Sequence, residues 1–162
     1  MKVLGIDPGT AACGYGIVHE SDGRLRAVDY GWWSTPAGER PERRLRTLHD
    51  RVVELIALHG PAEVALEESF VGADARTALS VGQARGAVLV ACACADVEAA
   101  EYAPNRVKQM ICGYGHADKT QVQRMVKVVL GLAEPPHPNH AADALAVAIC
   151  HALAPPLLKV VG

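Results

Sequence analysis

The sequence predicts an α/β fold on a mixed sheet, and three observations carry that expectation. Roughly the first 35 residues read as three short strands joined by turn signals. The apolar spacing then becomes helical, and short apolar runs afterwards alternate with helical stretches. Successive hairpins give antiparallel strands, whereas strands separated by helices are joined by crossovers and lie parallel. Three antiparallel strands extended by parallel strands and flanked by helices satisfy all three.

The elements follow in order. Val3-Leu4-Gly5-Ile6 is an apolar run that ends on Asp7 and meets the turn signal Pro8-Gly9-Thr10. A second strand spans 15–19, and Gly23-Arg24 turns the chain into a third over 25–34. Residues 36–41 form a loop. Leu45, Leu48, Val52, Leu55 and Ile56 are then spaced for a helix over 42–59, stopped by Gly60-Pro61. Val64-Ala65-Leu66 is a short strand closing on Glu67-Glu68. Residues 70–76 read as an exposed connection, 77–95 as a long Ala/Val-rich helix, and 98–102 as a fifth strand. Pro104 opens a helix to 112, and Gly113-Tyr114-Gly115 breaks it before another over 119–130. The rigid connector Pro135-Pro136-His137-Pro138 precedes a last helix over 139–153.

At 162 residues the chain is expected to form one domain, 1–162. Half of it is apolar but only 4% aromatic, so the core should be aliphatic. Five cysteines, with no C-x-x-C pair, read as packed free thiols, and Cys92 and Cys94 should point to different helix faces. No secretory leader opens the chain, and no apolar run reaches the roughly 18 residues of a membrane span. A cytoplasmic protein without a membrane partner is expected. The net charge of −2 argues against a general nucleic-acid binder. Yet residues 40–51 hold five arginines against Glu42 and Asp50, and 104–127 hold five bases against Asp118 alone. Either stretch makes a basic patch or an ordinary solvated helix face.

The chemistry concentrates in four residues. Asp7 and Glu67 each end an apolar strand, at the sheet edge where α/β folds place ligands. If those strands are neighbours the two carboxylates face one another, and a divalent cation is the simplest counter-ion. His140 and Asp143, three apart, share one face of the last helix, among alanines that let it sit close to the sheet. Singly, each has an ordinary reading: Asp-Pro-Gly is a turn, and His140 and Asp143 suit a helix start. Jointly they make a divalent-metal site.

Several segments together closely resemble the RuvC Holliday-junction resolvases. They are Gly5-Ile6-Asp7-Pro8-Gly9-Thr10 with Gly14-Tyr15-Gly16, Ala65-Leu66-Glu67-Glu68-Ser69-Phe70, Leu79-Ser80-Val81-Gly82-Gln83-Ala84-Arg85-Gly86, Val107-Lys108-Gln109, and Ala141-Ala142-Asp143-Ala144-Leu145-Ala146. The resemblance implies a ribonuclease-H-like fold, a homodimer, and paired symmetric nicks in four-way junction DNA. It also implies a partnership with a RuvA–RuvB branch-migration complex. It places the four metal-binding catalytic positions on Asp7, Glu67, His140 and Asp143, with Mg²⁺ or Mn²⁺ as cofactor, two ions per site. Lys108 and Lys119 match basic positions near DNA phosphates. Phe70, the one phenylalanine in the chain, reads from composition as core, whereas the resemblance sets it against bases at the junction centre. Phosphate contact is expected of Arg76 and left open for Arg85. Gly82 and Gly86, flanked by Ala78 and Val90, allow close approach to the sheet or to a partner subunit; the resemblance favours the partner.

His140 departs from the acid found at that position in many relatives, although histidine variants also occur. Imidazole suits Mg²⁺ less well than carboxylate does, which predicts a preference for Mn²⁺. Rival readings are a sugar-kinase-like ATPase, which needs a second phosphate loop absent from the sequence, and a ribonuclease-H-like nuclease acting on another nucleic acid. A junction-binding protein without activity is the non-enzymatic alternative.

Overall fold

The computed structural model describes residues 1–68 and 74–155. Strands β1 (Lys2–Asp7), β2 (Ala12–Ser21) and β3 (Arg24–Ser34) form the two expected hairpins. Asp22 and Gly23 both adopt positive φ, at 53° and 73°, the backbone of a two-residue turn whose twist matches its strands. β2 begins three residues earlier than the sequence reading. Gly14 and Gly16 interrupt its apolar alternation and so conceal its first half.

Helix α1 (Pro41–His59) starts on Pro41 and ends at Gly60, which takes the left-handed conformation at φ 56°. β4 (Glu63–Glu67) follows, then α2 (Ala75–Cys94), β5 (Glu98–Tyr102), α3 (Pro104–Cys112), α4 (Lys119–Leu130) and α5 (Asn139–Leu153). Asp74 caps α2 by accepting from the Arg76 and Thr77 amides, which is why that helix begins before Thr77. Asp118 and Gln121 form a reciprocal capping box on α4.

The strand order is β3-β2-β1-β4-β5, with β1, β4 and β5 parallel and β2 antiparallel to both its neighbours. Alternation along each strand sorts the core into two layers. Val3, Val18, Ala65 and Ala100 pack with α3, α4 and α5, whereas Leu4, Ile6, Ile17, Val64 and Leu66 pack with α1 and α2. α5 lies directly on the sheet because Gly5, Gly14 and Gly16 leave room for it. A Cβ at Gly5 would stand 2.0 Å from the Ala144 carbonyl oxygen, and one at Gly14 would stand 1.9 Å from that of His140. The alanines expected to permit this approach account for the helix's half of the contact; the sheet's glycines supply the other half.

By length and composition alone α2 is long and apolar enough to cross a membrane, although Arg76 and Arg85 interrupt its apolar run. Within the fold it packs on α1, with Ala84, Val88, Ala91 and Cys92 buried. Its Arg85 forms a two-pronged ion pair with Glu101 on β5. Gly82 and Gly86 face open space rather than the sheet, and Leu79 and Val90 are exposed beside them. All five cysteines are free; Cys92 is buried and Cys94 exposed, as their spacing predicted.

Candidate active site

Register places the acids. Ile6 and Leu66 are partners in the parallel pair β1–β4, so Asp7 and Glu67, the next residues, end adjacent strands side by side. Both Ile6 and Leu66 point to the α1–α2 layer, so the following carboxylates turn to the opposite face, toward α5. Asp7 is also the partner of Gly14, over which the His140 backbone passes. The close approach of α5 thereby delivers His140 and Asp143 to the carboxyl ends of β1 and β4.

His140 Nδ1 lies 2.8 Å from Asp7 Oδ2, and Lys119 Nζ lies 2.9 Å from Asp143 Oδ2. Burial, followed by the charges of Asp7 and Asp143, pushes Glu67 up to about 7 even though Lys119 and Lys108 act to lower it. Asp143 is also raised. Its burial and the charge of Asp7 outweigh the hydrogen bond and attraction of Lys119 and the nearby His140. The hydrogen bond to Asp7 raises His140 in spite of its partial burial. Burial would lower Lys119, but its bond to Asp143 and the surrounding carboxylates leave it raised. Three carboxylates thus meet where Lys119, Lys108 and His140 offset only part of their mutual repulsion and burial.

Two cavities meet at Glu67. A cleft of about 660 Å³ is lined by Asp7, Glu67, His140, the turn 8–12 and the start of α2 including Arg76. A smaller cavity of about 230 Å³ holds Asp143, Lys108 and Lys119 and shares Glu67 with the cleft. The structure therefore gathers Asp7, Glu67, His140, Asp143, Arg76, Lys108 and Lys119 around one locus; Phe70 lies outside the described residues. Oxygen-rich donors with one imidazole suit a hard divalent ion. Among the described residues no three of these side chains converge to ligating distance; Asp7 contacts His140 and Asp143 contacts Lys119. The donor chemistry fits a divalent ion that takes the place of the Lys119 ammonium at Asp143 and of the hydrogen bond between His140 and Asp7.

Three of the five arginines over 40–51 pair with nearby acids: Arg40 with Glu42 at 2.6 Å, Arg46 with Asp50 at 3.4 Å and Arg51 with Glu54 at 3.2 Å. Sequence reasoning did not assign a site role to Glu68, Thr10 or Ser80, all of which line the cleft. The signal for the last two was present only as part of the resemblance motifs, since their contact joins residues 70 apart.

A sheet of this order, with acids ending two adjacent inner strands and a helix laid across it, defines the ribonuclease-H-like class. Residues 3–151 match the family model described as "Crossover junction endodeoxyribonuclease RuvC". A RuvC of Moorella thermoacetica is 53% identical over 94% of this chain and 91% of its own. One of Chloroflexus aggregans is 50% identical over 100% of this chain and 99% of its own. The solved structure of Thermus thermophilus RuvC superposes with a TM-score of 0.86 at 41% identity, covering 94% of this chain and 93% of that one. T. thermophilus RuvC in complex with Holliday junction substrate is similar at a TM-score of 0.86 and 38% identity, over 94% of this chain and 93% of that one. The chain belongs to the RuvC family of crossover junction endodeoxyribonucleases.

Proposed function

We propose that the chain, acting as one nuclease domain, resolves four-way DNA junctions by paired symmetric nicks in recombination and repair. The observation that carries this is the meeting of Asp7, Glu67 and Asp143 at one end of the sheet, with Glu67 pushed up to about 7. The relative solved with Holliday junction substrate supports the choice of DNA.

Asp7, Glu67 and Asp143 would hold two divalent ions, with Asp7 shared and His140 completing one shell. When bound, such ions lower the pKa of an attacking water and stabilise the departing 3′ oxygen, leaving 5′-phosphate ends. His140, beside Asp7, would either complete that shell or help manage the nucleophilic water. Lys119, freed from Asp143, and Lys108 would neutralise charge on the phosphate. Arg76, exposed at the mouth of the cleft, would hold a flanking phosphate. Phe70 would stack on an unpaired base at the junction, worth roughly 1–3 kcal/mol.

A second active site would come from a homodimer seated on α2. Leu79, Gly82, Gly86 and Val90 make an outward stripe of small and apolar residues there. Free thiols suit the cytoplasm as the place of action, and the RuvA–RuvB branch-migration complex would be the partner.

The test incubates the protein with a four-way junction or a linear duplex, with Mg²⁺ or Mn²⁺, beside Asp7→Asn. Symmetric nicking of the junction, absent with the duplex and lost in Asp7→Asn, is expected. Because His140 replaces a carboxylate, Mn²⁺ should give faster cleavage than Mg²⁺ at equal, subsaturating concentration. Junction binding without cleavage in either metal would reduce the protein to a junction binder, and equal rates would remove the metal preference.

A further inference from the structure

Two helices that contribute no acid to the site grip the turn that carries Asp7. The Thr10 hydroxyl lies 2.6 Å from Ser80 Oγ on α2. On the other side, the Thr35 hydroxyl donates to the Thr10 carbonyl at 2.5 Å, and Arg44 Nε on α1 donates to the Thr35 oxygen at 2.7 Å. The Thr35 amide also donates to the Ala11 carbonyl at 3.3 Å. Thr35 is 7% exposed, so an unmade bond to its hydroxyl would carry a desolvation penalty. Its single proton is committed to Thr10 and a lone pair to Arg44, giving the chain a fixed direction from Arg44 through Thr35 to Thr10.

The turn itself has little slack. Pro8 fixes φ directly after Asp7, and a Cβ at Gly9 would stand 2.3 Å from the Ala12 carbonyl oxygen. Where Thr10 is held, the Asp7 backbone is therefore held too. Thr10 and Ser80 both line the cleft that contains Asp7 and Glu67, which puts these bonds at the wall of the site rather than in a distant loop.

We propose that Thr10 is a positioning residue: its hydroxyl and its carbonyl are the two points at which α2 and α1 set the carboxylate of Asp7 for metal binding. The inference rests on reading Asp7 as a metal-holding acid. Ser80 sits next to Leu79 on the helix that bears the outward stripe, so the same bond transmits any shift of α2 to Asp7.

The experiment measures Mn²⁺ binding by titration calorimetry on the metal-free protein, with junction binding in chelator and Tm alongside. The variants are Thr10→Val, Thr10→Ser, Ser80→Ala, the double Thr10→Val/Ser80→Ala, and Asp7→Asn. Thr10→Val and Ser80→Ala should each weaken Mn²⁺ binding about five-fold, the size of one lost hydrogen bond. Thr10→Ser should restore wild-type binding. The double variant should be no weaker than Thr10→Val, because both remove the same contact. Junction binding in chelator should be unchanged. A fall in Tm with Mn²⁺ affinity intact in Thr10→Val and Ser80→Ala would show a merely structural bond and overturn the proposal. Should Thr10→Val fail to fold, Ser80→Ala decides alone, on the same criterion. Asp7→Asn separates the two readings. If it keeps Mn²⁺ binding, the metal site itself is wrong; if it loses binding while Ser80→Ala keeps it, only the positioning role falls.

Discussion

Among single residues, Glu67 has the most pronounced consequence for stability. Burial and the charges of Asp7 and Asp143 push it up to about 7 from an ordinary 4.5. Between those two values, the metal-free native protein keeps a proton that the unfolded chain has released, so stability falls as pH rises through this window. Below about 4.5 both states are protonated and the penalty is absent. The loss should be on the order of 2 kcal/mol by pH 8. Glu67→Gln, which cannot ionise, should therefore match wild type at pH 4.5 in chelator and exceed its Tm by about 5 °C at pH 8, while losing cleavage. Equal Tm values at pH 8 would mean that the carboxylate is not strained by its neighbours. The three acids and His140 were legible in the sequence because a charge ending an apolar strand, or lying among alanines, breaks an apolar pattern. The contacts Thr10–Ser80 and Arg85–Glu101 were not. They join residues 70 and 16 positions apart, and nothing local to either partner marks it.

The elements were legible for a different reason. Each helix carries its own stop or start, such as Gly60, Pro104, Asp118 and Gly131, and the bounds that shifted did so where that signal was hidden. Asp74 caps α2 from within what reads as a connection, and Gly14 and Gly16 mask the start of β2. The sequence could show that α5 was lined with alanine, but not that the opposing strand positions were glycine, since that requires the register. This register makes a sharp contrast between two glycines. At Gly14 a Cβ would meet the His140 carbonyl oxygen at 1.9 Å, backbone against backbone, whereas at Gly82 it would meet nothing within 4 Å. Gly14→Ala must lift α5 from the sheet, and should cost at least about 3 kcal/mol and displace His140 from Asp7. Gly82→Ala should instead stabilise the subunit by roughly 0.5–1 kcal/mol through helix propensity, while weakening self-association if the stripe on α2 is the dimer seat. Chemical denaturation and sedimentation measure both effects. A Gly14→Ala protein of wild-type stability and activity would contradict the close approach of α5 on which the site depends.

For the whole molecule, the central question is how one locus per subunit could make two nicks. The described site holds one set of acids, gathered at one end of one sheet. A four-way junction has two strands of like polarity to cut, related by a two-fold axis, and a two-fold dimer on α2 would present one site to each. α2 is suited to this because its apolarity is not consumed within the subunit: its inner face packs on α1, while Leu79 is 64% and Val90 55% exposed on the outer. If each site acts from its own residues, mixing wild type with Asp7→Asn should produce heterodimers with one competent site. At equimolar mixing and random exchange, about half of the dimers would be mixed. They should nick one strand of a junction and leave the opposing strand intact, so singly nicked junctions accumulate, and resolution into two linear duplexes falls toward the wild-type homodimer fraction. The readout is a junction labelled on both continuous strands with different dyes, analysed under denaturing and native conditions. Loss of all nicking in the mixed dimers would mean that the two sites are built jointly. Full resolution by them would mean that one site serves both strands, and the two-fold assignment of α2 would then have no function to explain.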